Sequence, residues 1–232
     1  MPNFKLLSQY GTNAKTAKSD KFGGYLTAIL YLKPGIKVCP GASKGCLAAC
    51  LNTAGRGAMT NVQQARARKT KLFFTDQAAF LELLRDDLRR HQAYCEKRGV
   101  KPVARLNGTS DIDWNALGII DEFPEIQFYD YTKRLEFTKY SKKPNYHVTI
   151  SRTEETRDGS VQFYAKHGHN VAVVFSGPLP QRFLGVPVVS GDETDLRFLD
   201  PSGVVVGLTV KGRGKKDKSG FVVHSETDRR AS

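Results

Sequence analysis

Three of the four cysteines lie within twelve positions, as Cys39, Cys46 and Cys50 of the segment VCPGASKGCLAACLNTAGRG. Thiolates are the preferred ligands of iron–sulfur clusters and of structural zinc, so a C-x6-C-x3-C spacing points first to metal chemistry. Cysteines separated by three residues meet on one side if the segment between them starts a helical turn, and the Pro40-Gly41 and Gly45 breaks let the longer stretch wrap around the site. Structural zinc asks for four protein ligands and favours C-x2-C knuckles, so three cysteines without a neighbouring histidine suit an iron–sulfur cluster better and leave one iron open. The fourth thiol, Cys95, shares an apolar helical stripe and reads as a core residue.

A loop of this kind must be held by regular elements. Tyr25 to Leu32 reads as a buried strand between Gly23-Gly24 and Pro34-Gly35, and Asn61 to Phe73 as a helix. Thr75 or Asp76 then caps a second helix that reaches Arg98, with Phe80, Leu84, Leu88 and Cys95 along one stripe. Further strands are expected at Val103 to Leu106, Ile126 to Tyr131, Tyr146 to Ile150, Val171 to Phe175, Val186 to Ser190 and Val204 to Val210. A helix from Arg157 to His167 precedes the fourth of these, and Phe221 to Val223 is expected to close a C-terminal β hairpin across the basic stretch GRGKKDKSG. Strands alternating with helices and loops predict an α/β fold with a parallel sheet or partial barrel, whose functional groups gather where the strands end. The polar strand ends, with Arg105, Asn107 and Asp111 after one and Lys133 after the next, would make a pocket for a charged small molecule.

Residues 1–232 read as a single domain, with the cysteine loop at 39–50. The first twenty residues and the last ten are polar enough to fray. The early residues carry charge without a long apolar run, so neither a signal peptide nor a membrane span is expected, and clustered thiols fit a cytoplasm better than a disulfide framework. Thirty-six Lys and Arg against 23 Asp and Glu give a formal charge of +13, which attracts polyanions, nucleic acid among them. Walker, dinucleotide-binding, nucleophile-elbow and H-E-x-x-H patterns are all missing, which removes support for nucleotide hydrolysis and the common hydrolases.

A first strand, a loop with three cysteines, a helix and further β/α units together resemble the radical S-adenosylmethionine superfamily. The resemblance implies a partial or complete parallel β/α barrel, a 4Fe–4S cluster on Cys39, Cys46 and Cys50, and S-adenosylmethionine chelated at the open iron. The family spacing is C-x3-C-x2-C, against six and three intervening residues here. In that family a glycine-rich turn after the second strand receives the cofactor's amino group. Its counterpart here is RLNGTSDIDW, which assigns cofactor contacts to Asn107, Gly108 and Asp111; separately, Arg56 follows Cys50 closely enough to stand near the cluster. The whole chain, through CLNTAGRG, RLNGTSD, FYDYTKR and VKGRGKKDKSGFVV, also resembles a family of bacteriophage-encoded proteins, which implies the host cytoplasm as its place of action. Two functions remain open from sequence. One is an iron–sulfur protein with redox or radical chemistry, and the other is a non-catalytic nucleic-acid-binding protein with a structural metal site.

Overall fold

A computed structural model describes residues 4–8 and 23–224. Its strands are β1 (Leu7–Ser8), β2 (Tyr25–Leu30), β3 (Lys101–Arg105), β4 (Gln127–Thr132), β5 (Tyr146–Ser151), β6 (Val171–Phe175), β7 (Arg182–Phe183), β8 (Val186–Ser190), β9 (Val205–Thr209) and β10 (Val222–Val223). They form one sheet in the order β1-β2-β3-β4-β5-β6-β9-β8-β7, with β10 added to β6. Pairing is parallel except at the margins, where β1 runs against β2 and β7 against β8. The two ends do not meet, so the sheet is open and a complete barrel does not form.

The helices are α1 (Lys44–Ala48), α2 (Thr60–Thr75), α3 (Gln77–Lys97), α4 (Ile119–Glu122) and α5 (Asp158–Lys166). Asp76 caps α3 by accepting from the Ala79 amide at 2.9 Å, and Gly99, at φ +63°, lets the chain turn back into β3. Phe80, Leu84, Leu88 and Cys95 are all fully buried, so the expected stripe faces the core. Asp87 on the same helix accepts from the backbone amides of Leu6 and Leu7, which fastens the N-terminal strand to it.

Alternation along the strands separates two faces. Ala28, Leu30, Ala104, Phe128 and Val148 pack with the α3 stripe, while Ile150, Val171, Val173 and Val205 pack with Val161 of α5. The opposite face presents Thr27, Arg105, Tyr129, Tyr131, His147, Thr149 and Ser151, and the chain at 191–199 crosses it, placing Leu196 and Phe198 on Val103, Tyr129 and Tyr25. The helices therefore cover one face with hydrocarbon, and the other is lined with hydrogen-bonding groups.

The expected C-terminal hairpin does not form. Instead β10 pairs in parallel with β6, Val222 opposite Val174 and Val223 opposite Phe175. The reason lies in the neighbouring strands: β9 takes one edge of β6 along its whole length, while β5 pairs on the other only at Val171 and Ala172. β10 occupies the part of that edge that β5 leaves. The expectation of frayed ends falls mainly outside the described residues. Among those residues no helix is long and apolar enough to cross a membrane.

Candidate functional site

The cysteine loop leaves β2 and returns to the sheet's carboxyl edge. Ser43 caps α1 by accepting from the Cys46 amide at 3.2 Å, and its hydroxyl donates to Glu154 Oε2 at 2.6 Å. Glu154 Oε1 also takes the Gly45 amide at 2.7 Å, so one carboxylate from the turn after β5 holds the first turn of α1. Burial works against its charge, but these donors keep the Glu154 carboxyl below the ordinary carboxylate range. A Cβ at Gly45 would run into the Ser219 hydroxyl and lie 2.8 Å from the Glu154 carboxylate, so any larger residue would displace the two side chains packed on this helix.

This anchoring puts Cys39, Cys46 and Cys50 on the wall of one cavity of about 240 Å³ at the carboxyl ends of the parallel strands. Arg105, Asn107 and Gly108 line it from the end of β3, Tyr131 from β4 with Lys133 just beyond it, Ser151 from β5, Asp192 and Asp195 from the crossing segment, and Thr209 from β9 with Lys211 just beyond it. A ligand crevice outside the carboxyl ends of parallel strands is the usual arrangement in open α/β sheets. A second hollow, at the amino ends between Tyr25, Pro102 and Phe198, carries no thiol.

Electrostatics tie the thiols together. Burial pushes the Cys39 thiol up to about 11 and raises Cys46 as well, while the Lys133 ammonium opposes both shifts. Lys133 is itself opposed by burial, yet Cys46, Asp111 and Cys39 together raise it above the ordinary lysine range. The Cys39 thiol rests 3.6 Å from the Thr109 carbonyl oxygen. Among the described residues no group of three or more His, Cys, Asp or Glu side chains is arranged to hold a metal ion. The three sulfurs thus share a cavity without converging on one point, and two of them, Cys39 and Cys46, also share the Lys133 cation. Cys95 stands apart in the core, 3.8 Å from His91 Nε2.

The residues assigned to cofactor contact separate into three placements. Asn107 lines the cavity, but its amide is engaged in its own loop: Oδ1 accepts from the Ser110 hydroxyl at 2.8 Å, the Ile112 amide at 2.9 Å and Trp114 Nε1 at 3.0 Å. Its Nδ2 donates to the Ile112 carbonyl at 3.0 Å and to Asp130 at 3.3 Å. Gly108 also lines the cavity, and the close approach it permits is to protein, since an added Cβ would stand 2.6 Å from the Leu30 carbonyl oxygen. Asp111 lies behind the wall, accepting from the Thr132 hydroxyl at 2.8 Å and the Lys133 amide at 2.9 Å, and so fixes the backbone that carries Lys133. Arg56 is exposed on the 3-10 turn Gly55–Ala58, outside the lining.

Sequence reasoning passed over the crossing segment. Asp195 accepts from Arg105 Nη1 at 3.2 Å and from the Tyr129 hydroxyl at 2.6 Å, and the Arg105 guanidinium sits 4.6 Å over the Tyr131 ring. Asp130 is buried beneath Asn107; burial pushes its carboxyl up to about 7, against the pull of the Asn107 amide, the Arg105 charge and the Tyr146 hydroxyl. The only sequence signal for the segment was its polarity between two apolar strands, GDETD after Ser190.

The fold and site define an open, mostly parallel α/β protein with a thiol-lined cavity at the strands' carboxyl ends. A family model described as gene product 88 matches residues 5–225, and the chain belongs to that family. This agrees with the resemblance to bacteriophage-encoded proteins. Comparison with curated proteins and with solved structures gives no match.

Proposed function

We propose that Cys39, Cys46 and Cys50 hold a 4Fe–4S cluster and that the cavity beside them receives a charged small molecule, S-adenosylmethionine being the one the superfamily resemblance names. The observation that carries this reading is that these three thiols share one cavity wall while Cys95 is absent from it. A single zinc ion needs its sulfurs at about 2.3 Å from one point, whereas a cluster binds each thiolate through a different iron and asks for a wider triangle. The donor set is soft, as such a cluster requires. When bound, the group supplies a one-electron donor and an iron position without a protein ligand.

The chain's own residues would do the rest. Three thiolates around the cluster leave net negative charge, which the Lys133 ammonium offsets from the same wall. Glu154 holds α1 so that Cys46 and Cys50 stay at the cavity, and Asp111 fixes the backbone at Lys133. Arg105 and Asp195 put a cation and an anion into the lining, a pair able to orient a ligand bearing both charges.

Anaerobic purification with iron, sulfide and zinc analysis tests the assignment, followed by electron paramagnetic resonance of the reduced protein with and without S-adenosylmethionine. About four iron and four sulfide per chain are expected, lost in Cys39→Ala, Cys46→Ala and Cys50→Ala and kept in Cys95→Ala. Full metal retention in any of the first three variants would overturn the site, and zinc without sulfide would overturn the cluster. A spectrum unchanged by S-adenosylmethionine would remove that ligand.

A further inference from the structure

The stretch from Lys211 to Lys218 carries five cations, Lys211, Arg213, Lys215, Lys216 and Lys218, and all five are exposed. Lys211 is paired with Asp192 at 2.6 Å, whereas among the described residues none of the other four forms an ion pair. Surface lysines alone would mean little, but this turn is built. Asp217 accepts from the Ser219 hydroxyl at 2.7 Å and from the Val222 amide at 3.0 Å, which ties the turn to the start of β10. Gly212 and Gly214 approach the cysteine loop so closely that an added Cβ would stand 2.8 Å from the Ala54 Cβ in one case and 3.4 Å from the Ala49 Cβ in the other. The residues on either side of the turn, Lys211 and Phe221, both line the thiol cavity. A built turn with four exposed cations that form no ion pair among the described residues therefore lies between two residues of the cavity lining.

We propose that this turn docks the phosphates of a nucleic-acid strand, so that the molecule presented to the cavity is a nucleotide within a polymer. Four cations within six positions, at 213, 215, 216 and 218, can meet the repeating charge of a phosphate backbone, and the positive charge of the whole chain favours the encounter. The substrate class rests on the cavity reading above; the docking itself does not require the cluster.

The test titrates a fluorescent single-stranded oligonucleotide, as RNA and as DNA, with the full chain purified anaerobically, at several salt concentrations. The variant carries Arg213→Glu, Lys215→Glu, Lys216→Glu and Lys218→Glu. A charge-matched control carries Lys71→Glu, Lys97→Glu, Lys139→Glu and Lys166→Glu, all exposed and outside the cavity lining. If each of the four cations meets one phosphate, the slope of log affinity against log salt should fall in magnitude by about 3 in the turn variant, at about 0.7 per contact on a single strand. The control should keep the slope, and both proteins should keep their iron and sulfide. No binding by the unmodified chain, or an equal loss in both variants, would overturn the proposal. Turn-dependent binding by a protein without iron would leave it standing and would overturn the cluster alone.

Discussion

Removing the Asn107 amide tests whether the loop after β3 is held from within. Asn107→Ala takes the acceptor from the Ile112 amide and Trp114 Nε1, two N–H groups that cannot rotate towards another partner, and from the Ser110 hydroxyl, which can. Trp114 is fully buried against Phe73 and Phe80, with ring centroids at 5.8 and 6.2 Å, so its indole N–H has no route to solvent without repacking. Leaving a buried donor unsatisfied costs about 1–3 kcal/mol. Two obligate donors would cost about 2–6 kcal/mol, and the lower half applies because Asn107 itself lines the cavity, where water can take the place of part of the lost amide. The expected loss is therefore about 3 kcal/mol, measured by urea unfolding at neutral pH. Asn107→Asp separates hydrogen bonding from packing: it keeps the acceptors but sets a second carboxylate beside Asp130. Two adjacent carboxylates raise each other's pKa, so that variant should recover stability as pH falls and one of them takes a proton. A loss below about 1 kcal/mol in Asn107→Ala, or an Asn107→Asp variant whose deficit is the same at pH 5 and pH 8, would refute the reasoning.

Two further substitutions probe the same sheet. Burial first, and the Arg197 charge second, lower the His147 imidazole to about 4, so the folded protein holds it neutral while the unfolded chain protonates it near 6.5. Stability from this group is full above about pH 6.5 and is lost as pH falls towards 4, by up to about 3 kcal/mol, with a slope near 1.4 kcal/mol per pH unit. The difference between wild type and His147→Gln in urea titrations at pH 4.5 and pH 7 isolates it, and an identical acid slope in both proteins would defeat the assignment. Gly108→Ala should destabilise by about 1–3 kcal/mol, because the new methyl meets the Leu30 carbonyl oxygen at 2.6 Å and Tyr31 Cδ1 at 2.7 Å, and the backbone oxygen cannot move aside. A variant as stable as wild type would show that β2 and the β3 loop are less tightly apposed.

The elements were legible wherever a local pattern fixed them. The α3 stripe steps by four from Phe80 to Leu88 and by seven to Cys95 and carries its own cap at Asp76, and the strands from β2 to β6 are short apolar or alternating segments between turn and polar residues, so their positions follow from neighbours in sequence. The cysteine loop was legible because thiols are few and three stand together. Sheet order and closure were not, since both depend on which edge of β6 is free, a matter settled between residues 150, 171, 205 and 222. Asn107 and Gly108 were picked out as site residues by type; what type could not convey is that the amide's partners are Ser110, Ile112 and Trp114, or that the glycine's close neighbour is Leu30. Asp195 was missed because its partners, Arg105 and Tyr129, lie 90 and 66 positions away.

The displacement of the C-terminus from a hairpin to the β5 side of β6 links the separate features of the site. β9 is not free to take β10 as a hairpin partner, since β6 pairs along one of its edges while β8 and the Asp192 carboxylate occupy the other. By crossing to the gap beside β5, β10 leaves the turn between two residues of the cavity lining. Arg152, at the end of β5, secures the crossing by donating from Nη1 to the Gly220 carbonyl at 2.9 Å. The same route brings Ser219 against Gly45, and with it the basic turn against the helix that bears Cys46. One short parallel pair thus fixes the relation between thiols and cations, which sequence distance hides: Cys46 and Lys215 are far apart along the chain but belong to segments that Ala49 and Gly214 hold in contact.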